Sequence, residues 1–446
     1  MDLEGNIKTF GVHAAGLVVA NGDIRDVCAL YERTMGNGEV ISVVSMDKYD
    51  AERQGLLKLD YLALSTLDML TYAIDQIGMS LEELYNIPLE DPSIIEGFRD
   101  NDCTGIFQFD GRAARSINQV LKPDNFVEIC DVIALCRPGP LHSGAAGDYI
   151  DTKWGRRKRE SIHPALDSIT SATHGQIVYQ EQILRVVTEI GHFDWTSASA
   201  IRRIMSKKEG SAKFNRQWQE FLEGALTWHK RNDGPAWTEE QADYVWGRLI
   251  TAGAYAFNFA HCVSYGMLGA WAMWIKRNHP EVFFASALAK LPVGANKVPT
   301  QHENLMRNAE EKGIKLMPPH PRRSGPTWTR VKGKKAIRAG FGQIDGVGDK
   351  TAALMEQFQK ERKPAAWGDY LAIKGIAACM REKGRHLISA TFTKIPNDTA
   401  HTFYGAFHLG EVYERQGRFA LLSTPSPPKR PVMHFVLFAR LVTMPV

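Results

Sequence analysis

The chain has 446 residues, of which 44% are hydrophobic and 23% charged, with a formal net charge of +4. That length is too great for one ordinary core and predicts two or three domains, and that balance excludes a disordered chain. The sequence holds no run of about 18 apolar residues, which excludes a membrane-spanning helix, and the acidic start at Asp2 and Glu4 predicts no secretory signal.

The opening reads as strands. Gly11 to Ala20 is an apolar run of strand length, and Gly55 to Leu62 is another. From Leu64 to Ile77 the spacing turns helical, with Leu67, Leu70 and Ile74 on one face. Beyond residue 100 the chain is predominantly helical. Arg137-Pro138-Gly139-Pro140-Leu141 is the firmest break, since two prolines and a glycine do not continue a helix. Helices are predicted near Gln180–Ile190, Ser197–Lys208, Phe214–Lys230, Glu239–Ile250 and Val263–Asn278, the last of them buried. Pro292–Pro299 reads as a linker, Gln301–Lys312 as a helix, and Lys315–Lys374 as a small domain. The tail from Ser423 is proline-rich and ends apolar, and no internal repeat is found.

Six cysteines, at 28, 103, 130, 136, 262 and 379, stand far apart without a C-x-x-C pair. That spacing predicts neither a zinc site nor a disulfide framework and suits a reducing cytoplasm. Two basic clusters could track phosphates or simply be solvated loops: Lys153-Trp154-Gly155-Arg156-Arg157-Lys158-Arg159, and the acid-free stretch Arg322 to Arg338.

Four constellations could carry chemistry. Lys58 and Asp60 are two apart on a strand and so project from one face, either as a structural ion pair or as a metal-directed carboxylate with a phosphate-binding lysine. Arg202, Arg203, Lys207 and Lys208 crowd one helix, either as a solvated face or around an anion such as a triphosphate. Asn258 and His261 sit in an aromatic stretch from Tyr255 to Tyr265, either as satisfied buried polar groups or as a wall for a base or sugar. Finally, Gly342 to Ala352 superficially suggests a P-loop, but Asp349 separates Gly348 from Lys350. It fits the hairpin of a helix-hairpin-helix DNA-binding unit instead, with Gly346, Gly348, Lys350 and Thr351 at the phosphate-binding helix start.

These pieces, in this order, resemble the C-family replicative DNA polymerases of bacteria and some phages, typified by the alpha subunit of DNA polymerase III. The matching segments are Gly11-Val12-His13-Ala14-Ala15-Gly16, Gly55 to Asp60, Phe107-Gln108, Arg137 to Leu141, Tyr179-Gln180-Glu181-Gln182, Arg202-Arg203 with Lys207-Lys208, and Phe257-Asn258 with His261 and Tyr265. The resemblance spans roughly residues 8 to 355 and fades past about 375.

The resemblance implies an α+β, mostly helical fold: a partial polymerase-beta-type nucleotidyltransferase palm (1–100), a large helical fingers domain (101–292), the end of the fingers with the helix-hairpin-helix unit (293–375) and a divergent tail (376–446). It implies transfer of a nucleotidyl group from a deoxynucleoside triphosphate to a primer 3′-oxygen, with Mg²⁺ in a two-metal site. Asp60 matches the third catalytic carboxylate and a metal ligand. Lys58, Arg202, Arg203 and Lys207 fall near the triphosphate, and Asn258, His261 and Tyr265 fall in the nucleotide-pocket segment.

The departures are as specific. The first two catalytic aspartates of the family lie in a P-D-x-D-x-D-F strand upstream of the GVHAAG segment; only ten residues precede that segment here, and no D-x-D spacing is expected anywhere in the chain. Phe259 and Ala260 stand where many relatives carry lysine and serine. The expected protein is therefore one piece of a split or truncated polymerase, inactive without a partner polypeptide that supplies the remaining palm and the PHP domain. The other expected partners are primer–template DNA, deoxynucleoside triphosphates and a sliding clamp, although no clamp-binding peptide is recognised. The alternative is a non-catalytic, DNA-binding polymerase relic.

Overall fold

A glycine in left-handed backbone fixes where the strand bearing Lys58 and Asp60 begins. The computed structural model describes residues 11–13, 16–35, 38–60, 63–206, 217–290, 300–344, 347–364, 369–370, 373, 411–415 and 418–422. The chain divides into two compact units, Met1–Ser65 and Thr66–Val446.

The first unit contains β1 (Gly16–Val19), β2 (Leu30–Thr34), β3 (Val40–Val44), α1 (Lys48–Arg53) and β4 (Leu57–Asp60). β1 and β4 pair antiparallel, setting Gly16 opposite Asp60 and Val18 opposite Lys58; β2 and β3 form a second antiparallel pair. The strand predicted from Gly55 starts instead at Leu57, because Gly55 has φ +78°, outside the extended region, and Leu56 drops into the core beside Cys28 and Ala51. The strand predicted over Gly11–Ala20 is shorter too, since residues 11–13 are irregular. Asp47 caps α1 by accepting from Tyr49 and Asp50 N–H.

The second unit is mostly helical. It runs through α2 (Ser65–Ile77), α3 (Leu81–Tyr85), α4 (Pro92–Arg99), α5 (Arg112–Leu121), α6 (Phe126–Leu135), α7 (Pro138–His142), α8 (Ala145–Lys153), α9 (Pro164–Thr170) and α10 (Gln180–Arg185), which continues as a π-turn over Val186–Ile190. There follow α11 (Trp195–Ser206), α12 (Trp218–Leu226), α13 (Glu239–Gly253), α14 (Phe259–Asn278), α15 (Pro280–Lys290), α16 (Thr300–Glu311), β5 (Lys315–Met317), β6 (Thr329–Arg330), β7 (Ala336–Arg338), α17 (Asp349–Arg362), β8 (Glu411–Arg415) and β9 (Arg418–Leu422). The palm boundary drawn from sequence at residue 100 lies beyond the division at Ser65, and α3 and α4 belong to the second unit.

α14 is the axis of this unit, buried as its apolar sequence predicts, and it packs on α4, α6 and α15. Its glycines permit the close approach: a Cβ on Gly266 would meet Cys130 Sγ at 2.8 Å, and one on Gly269 would meet Phe109 at 2.7 Å. A second core around Phe193, Phe221 and Trp246 joins α9 to α13. In α2, Leu70 and Ile74 turn inward as predicted while Leu67 is exposed.

The RPGPL segment corrects the sequence reading. It ends α6 but is itself one helical turn, α7, because Pro138 and Pro140 lie in a first turn where a missing N–H costs no helical bond. The small sheet orders as β5-β7-β6 and packs on α15, and α2 reaches it through Tyr72 Oη donating to Trp328 O at 2.9 Å. The predicted linker at 292–299 lies outside the described residues.

Candidate functional site

In the first unit, Lys58 Nζ meets Asp60 Oδ1 at 2.6 Å, as the i, i+2 spacing requires, and His13 Nδ1 stands 3.9 Å from the same oxygen. The hydrogen bond from Lys58 holds the Asp60 carboxyl below its usual range. A Cβ on Gly16 would come within 2.9 Å of the His13 ring and 3.0 Å of Lys58 Cε, so glycine leaves room for the pair.

In the second unit, four segments distant in sequence close on one place. Phe257 N–H donates to Val178 O at 3.0 Å and Gln180 N–H to Phe257 O at 2.8 Å, a parallel bridge that ties the YQEQ segment to the start of α14. Glu181 then accepts twice, from Asn258 Nδ2 at 3.0 Å and from Phe259 N–H at 2.9 Å. Asn258 Oδ1 caps α14 by accepting from His261 N–H at 2.8 Å. Both ends of the Asn258 amide are thus engaged within the protein at the entry of α14.

That entry aims a row of aromatic faces. The Arg137 guanidinium lies 4.0 Å above the Phe257 ring, His261 stands edge-on to Phe257 at 5.0 Å, Tyr265 stacks on His261 at 4.2 Å, and Phe107 meets Tyr265 at 5.3 Å. Next to Phe107, Gln108 is exposed and holds φ +68°, a left-handed backbone that costs energy for a non-glycine residue. Burial, and then the Arg137 charge, lower the His261 pKa, so its imidazole is neutral at physiological pH.

A buried network lies beneath, and the sequence did not announce it. Asp131, fully buried, accepts from the hydroxyls of Tyr149 and Tyr179, the latter in the YQEQ segment. Burial raises its pKa to about 7. Because that folded value exceeds the unfolded one, the group's stabilising contribution is full at acid pH and is lost as pH rises through about 7. Asp131→Asn is expected to remove this slope: urea denaturation at about pH 5 and about pH 7.5 should show the variant's stability, relative to wild type, improving at the higher pH.

The other predicted residues divide. Arg202 is exposed on α11, whose inner side is Ala198 and Ile201. Arg203 is on the same helix with its side chain outside the described residues; Lys207 and Lys208 lie outside them altogether, as do Asp345 and Gly346. Gly348 caps α17 with φ −84° and ψ 174°, extended backbone open to any residue, and a Cβ there meets nothing within 4 Å. Lys350 is exposed and Thr351 half-buried. The first arm of that hairpin is only a three-residue 3₁₀ turn, Phe341–Gln343.

The basic run at 153–159 is largely neutralised from within. Lys153 meets Glu128 at 2.6 Å, Arg156 meets Asp151 at 2.7 Å, Arg157 pairs with Asp148 and Arg159 with Asp167. In the second cluster Arg338 is buried and donates to Pro318 O at 3.0 Å, while Lys332, Lys334 and Lys335 are exposed.

Against the expectation of none, the chain has one D-x-D spacing, Asp100-Asn101-Asp102, and it is not on a strand. Asp100 caps the C-terminus of α4, and Asp102 is held by Lys276 at 2.7 Å and Lys312 at 2.6 Å. Among the described residues no group of three His, Cys, Asp or Glu side chains gathers to hold a metal. Asp60, already bound to Lys58, does not by itself make a two-metal site.

Two family models meet end to end on this chain: the bacterial DNA polymerase III alpha NTPase domain matches residues 1–63, and the bacterial DNA polymerase III alpha subunit finger domain matches residues 64–228. The chain belongs to the bacterial DNA polymerase III alpha subunit family. It is similar to the DNA polymerase III subunit alpha of Aquifex aeolicus, with 31% identity over 81% of this chain and 30% of the relative. That of Mycobacterium tuberculosis is 30% identical over 87% of this chain and 32% of the relative, and that of Staphylococcus aureus 30% over 80% and 32%. The chain spans about a third of the length of these curated relatives.

Proposed function

We propose that this chain supplies the fingers and part of a polymerase-beta-type palm of a DNA-directed DNA polymerase, which transfers a nucleotidyl group from a deoxynucleoside triphosphate to a primer 3′-oxygen and releases pyrophosphate. The observation that supports it is the closing of the Phe107, Arg137–Leu141, YQEQ and Phe257–Tyr265 segments on one aromatic row. A neutral His261 stacked on Tyr265 offers a sugar or base a flat apolar face with a polar edge. Arg202, Arg203 and Lys207 are phosphate-binding residues of the second unit, and Lys58, beside Asp60, is one of the first.

Asp60 would be a Mg²⁺ ligand where the rest of such a palm sets further carboxylates beside it. Gly346, Gly348, Lys350 and Thr351 hold the DNA backbone at the start of α17 in a helix-hairpin-helix manner. Primer–template DNA and a sliding clamp are the remaining partners.

Arg202→Ala and Arg203→Ala are each expected to weaken deoxynucleoside triphosphate binding about tenfold or more, since a charge-assisted phosphate bond contributes roughly 1.5–3 kcal/mol. Equilibrium titration of the folded variants checks it. Unchanged affinity would return α11 to a solvated basic face.

A further inference from the structure

We infer that Arg137 is a phosphate-binding residue, held at the end of the aromatic row so that a phosphate-bearing ligand can lie along it. The inference deepens the polymerase reading and rests on it.

The guanidinium of Arg137 is exposed and stacked 4.0 Å above Phe257, and no carboxylate pairs with it among the described residues. Arg115, Arg156, Arg157, Arg159, Arg185 and Arg277 each meet an Asp or Glu, while Arg231, Arg248 and Arg338 are taken up by backbone carbonyls. Glu181, whose segment is bridged to Phe257, already accepts from Asn258 and from the Phe259 N–H. The Phe257 ring holds the guanidinium in place without taking up its N–H donors, which suit the two oxygens of a phosphate.

From Arg137 the contacts run without a gap through Phe257, His261, Tyr265 and Phe107. One end of this row is cationic and the rest is aromatic. A nucleotide has the same layout, with a charged phosphate joined to a sugar and a flat base. The neutral His261 leaves Arg137 as the cation of the row. The phosphate could belong to a free nucleoside triphosphate or to the backbone of a DNA strand, and both present the same oxygens.

Three probes separate these sources: deoxyadenosine triphosphate, deoxyadenosine, and a short single-stranded oligodeoxythymidine, each titrated into the full chain and its Arg137→Ala variant. Because Arg137 is exposed, the variant should fold, and circular dichroism checks that it has. If the triphosphate is the ligand, Arg137→Ala raises its Kd about tenfold or more while deoxyadenosine is unmoved. If the strand is the ligand, the oligonucleotide weakens instead and its log–log salt slope falls by about one. Either result supports the inference.

Arg137→Lys should lie between the two, keeping the charge and losing the planar fork. Phe257→Leu, which fills the space without a ring, should weaken the same arm several-fold by releasing the guanidinium. If wild type binds and Arg137→Ala matches it with every probe, the inference is overturned and the polymerase reading stands. If wild type binds neither triphosphate nor strand, the polymerase reading fails and takes this one with it.

Discussion

Replacing Asp102 with alanine is expected to cost about 3–5 kcal/mol of folding stability, the range for removing one partner of a buried ion pair. Lys276 is fully buried in α14 and meets Asp102 at 2.7 Å; Lys312 reaches the other oxygen at 2.6 Å. Lys276 Nζ also donates to the carbonyls of Asp102 and Thr104, both at 2.9 Å. Alanine keeps those two bonds and removes the charge that justifies an ammonium there. Burial already lowers the Lys276 pKa to about 8, against the pull of Asp102. Without Asp102 it should fall further, so the unfolded chain binds a proton that the folded variant sheds, and stability recovers as pH rises. Denaturation midpoints should therefore show a smaller gap to wild type at about pH 9 than at about pH 7. A gap that widened with pH would mean that Lys276 is not the group left uncompensated.

The second large effect is expected at Asp60. In a polymerase assembled from this chain and a polypeptide bearing the remaining palm, Asp60→Asn should lower primer extension on the order of a hundredfold or more, as removal of one electrostatic stabiliser of a transition state does. Asparagine is nearly isosteric, and Asp60 is exposed on a short strand, so folding and assembly should survive. What is lost is the charge that now draws Lys58 to 2.6 Å and His13 to 3.9 Å. Rates equal to wild type in an assembled enzyme would leave the Lys58–Asp60 contact as a structural ion pair.

Local rules carried the reading as far as local causes reach. Residues two apart on a strand share a face, so Lys58 and Asp60 could be paired from sequence, and they meet. An unbroken apolar run with small residues made α14 a buried helix, and it is. The failures at Gly55 and at RPGPL were also local, since φ at a glycine and the place of a proline within a helical turn are not written in composition. The site's supports were hidden for another reason. Glu181 meets Asn258 across 77 positions, and Asp131 meets Tyr149 and Tyr179 across 18 and 48. Nothing in the periodicity of one segment reports a partner that far away. The basic run at 153–159 stayed open between phosphate tracking and a solvated loop because the carboxylates that pair with it are not written in its own spacing. The D-x-D spacing at Asp100 and Asp102 was passed over in the sequence, and two lysines commit Asp102 to the core.

Primer extension tests the central claim most directly. The purified chain, alone and mixed with a polypeptide carrying a P-D-x-D-x-D-F palm strand, is incubated with primer–template DNA, deoxynucleoside triphosphates and Mg²⁺, and co-elution of the two polypeptides is followed in parallel. The account predicts no extension by the chain alone, a stable complex in the mixture, and Mg²⁺-dependent extension by that complex. A chain that binds DNA but neither assembles with a palm-bearing partner nor extends a primer with it would contradict the account and make the protein a non-catalytic DNA-binding relative of the polymerases.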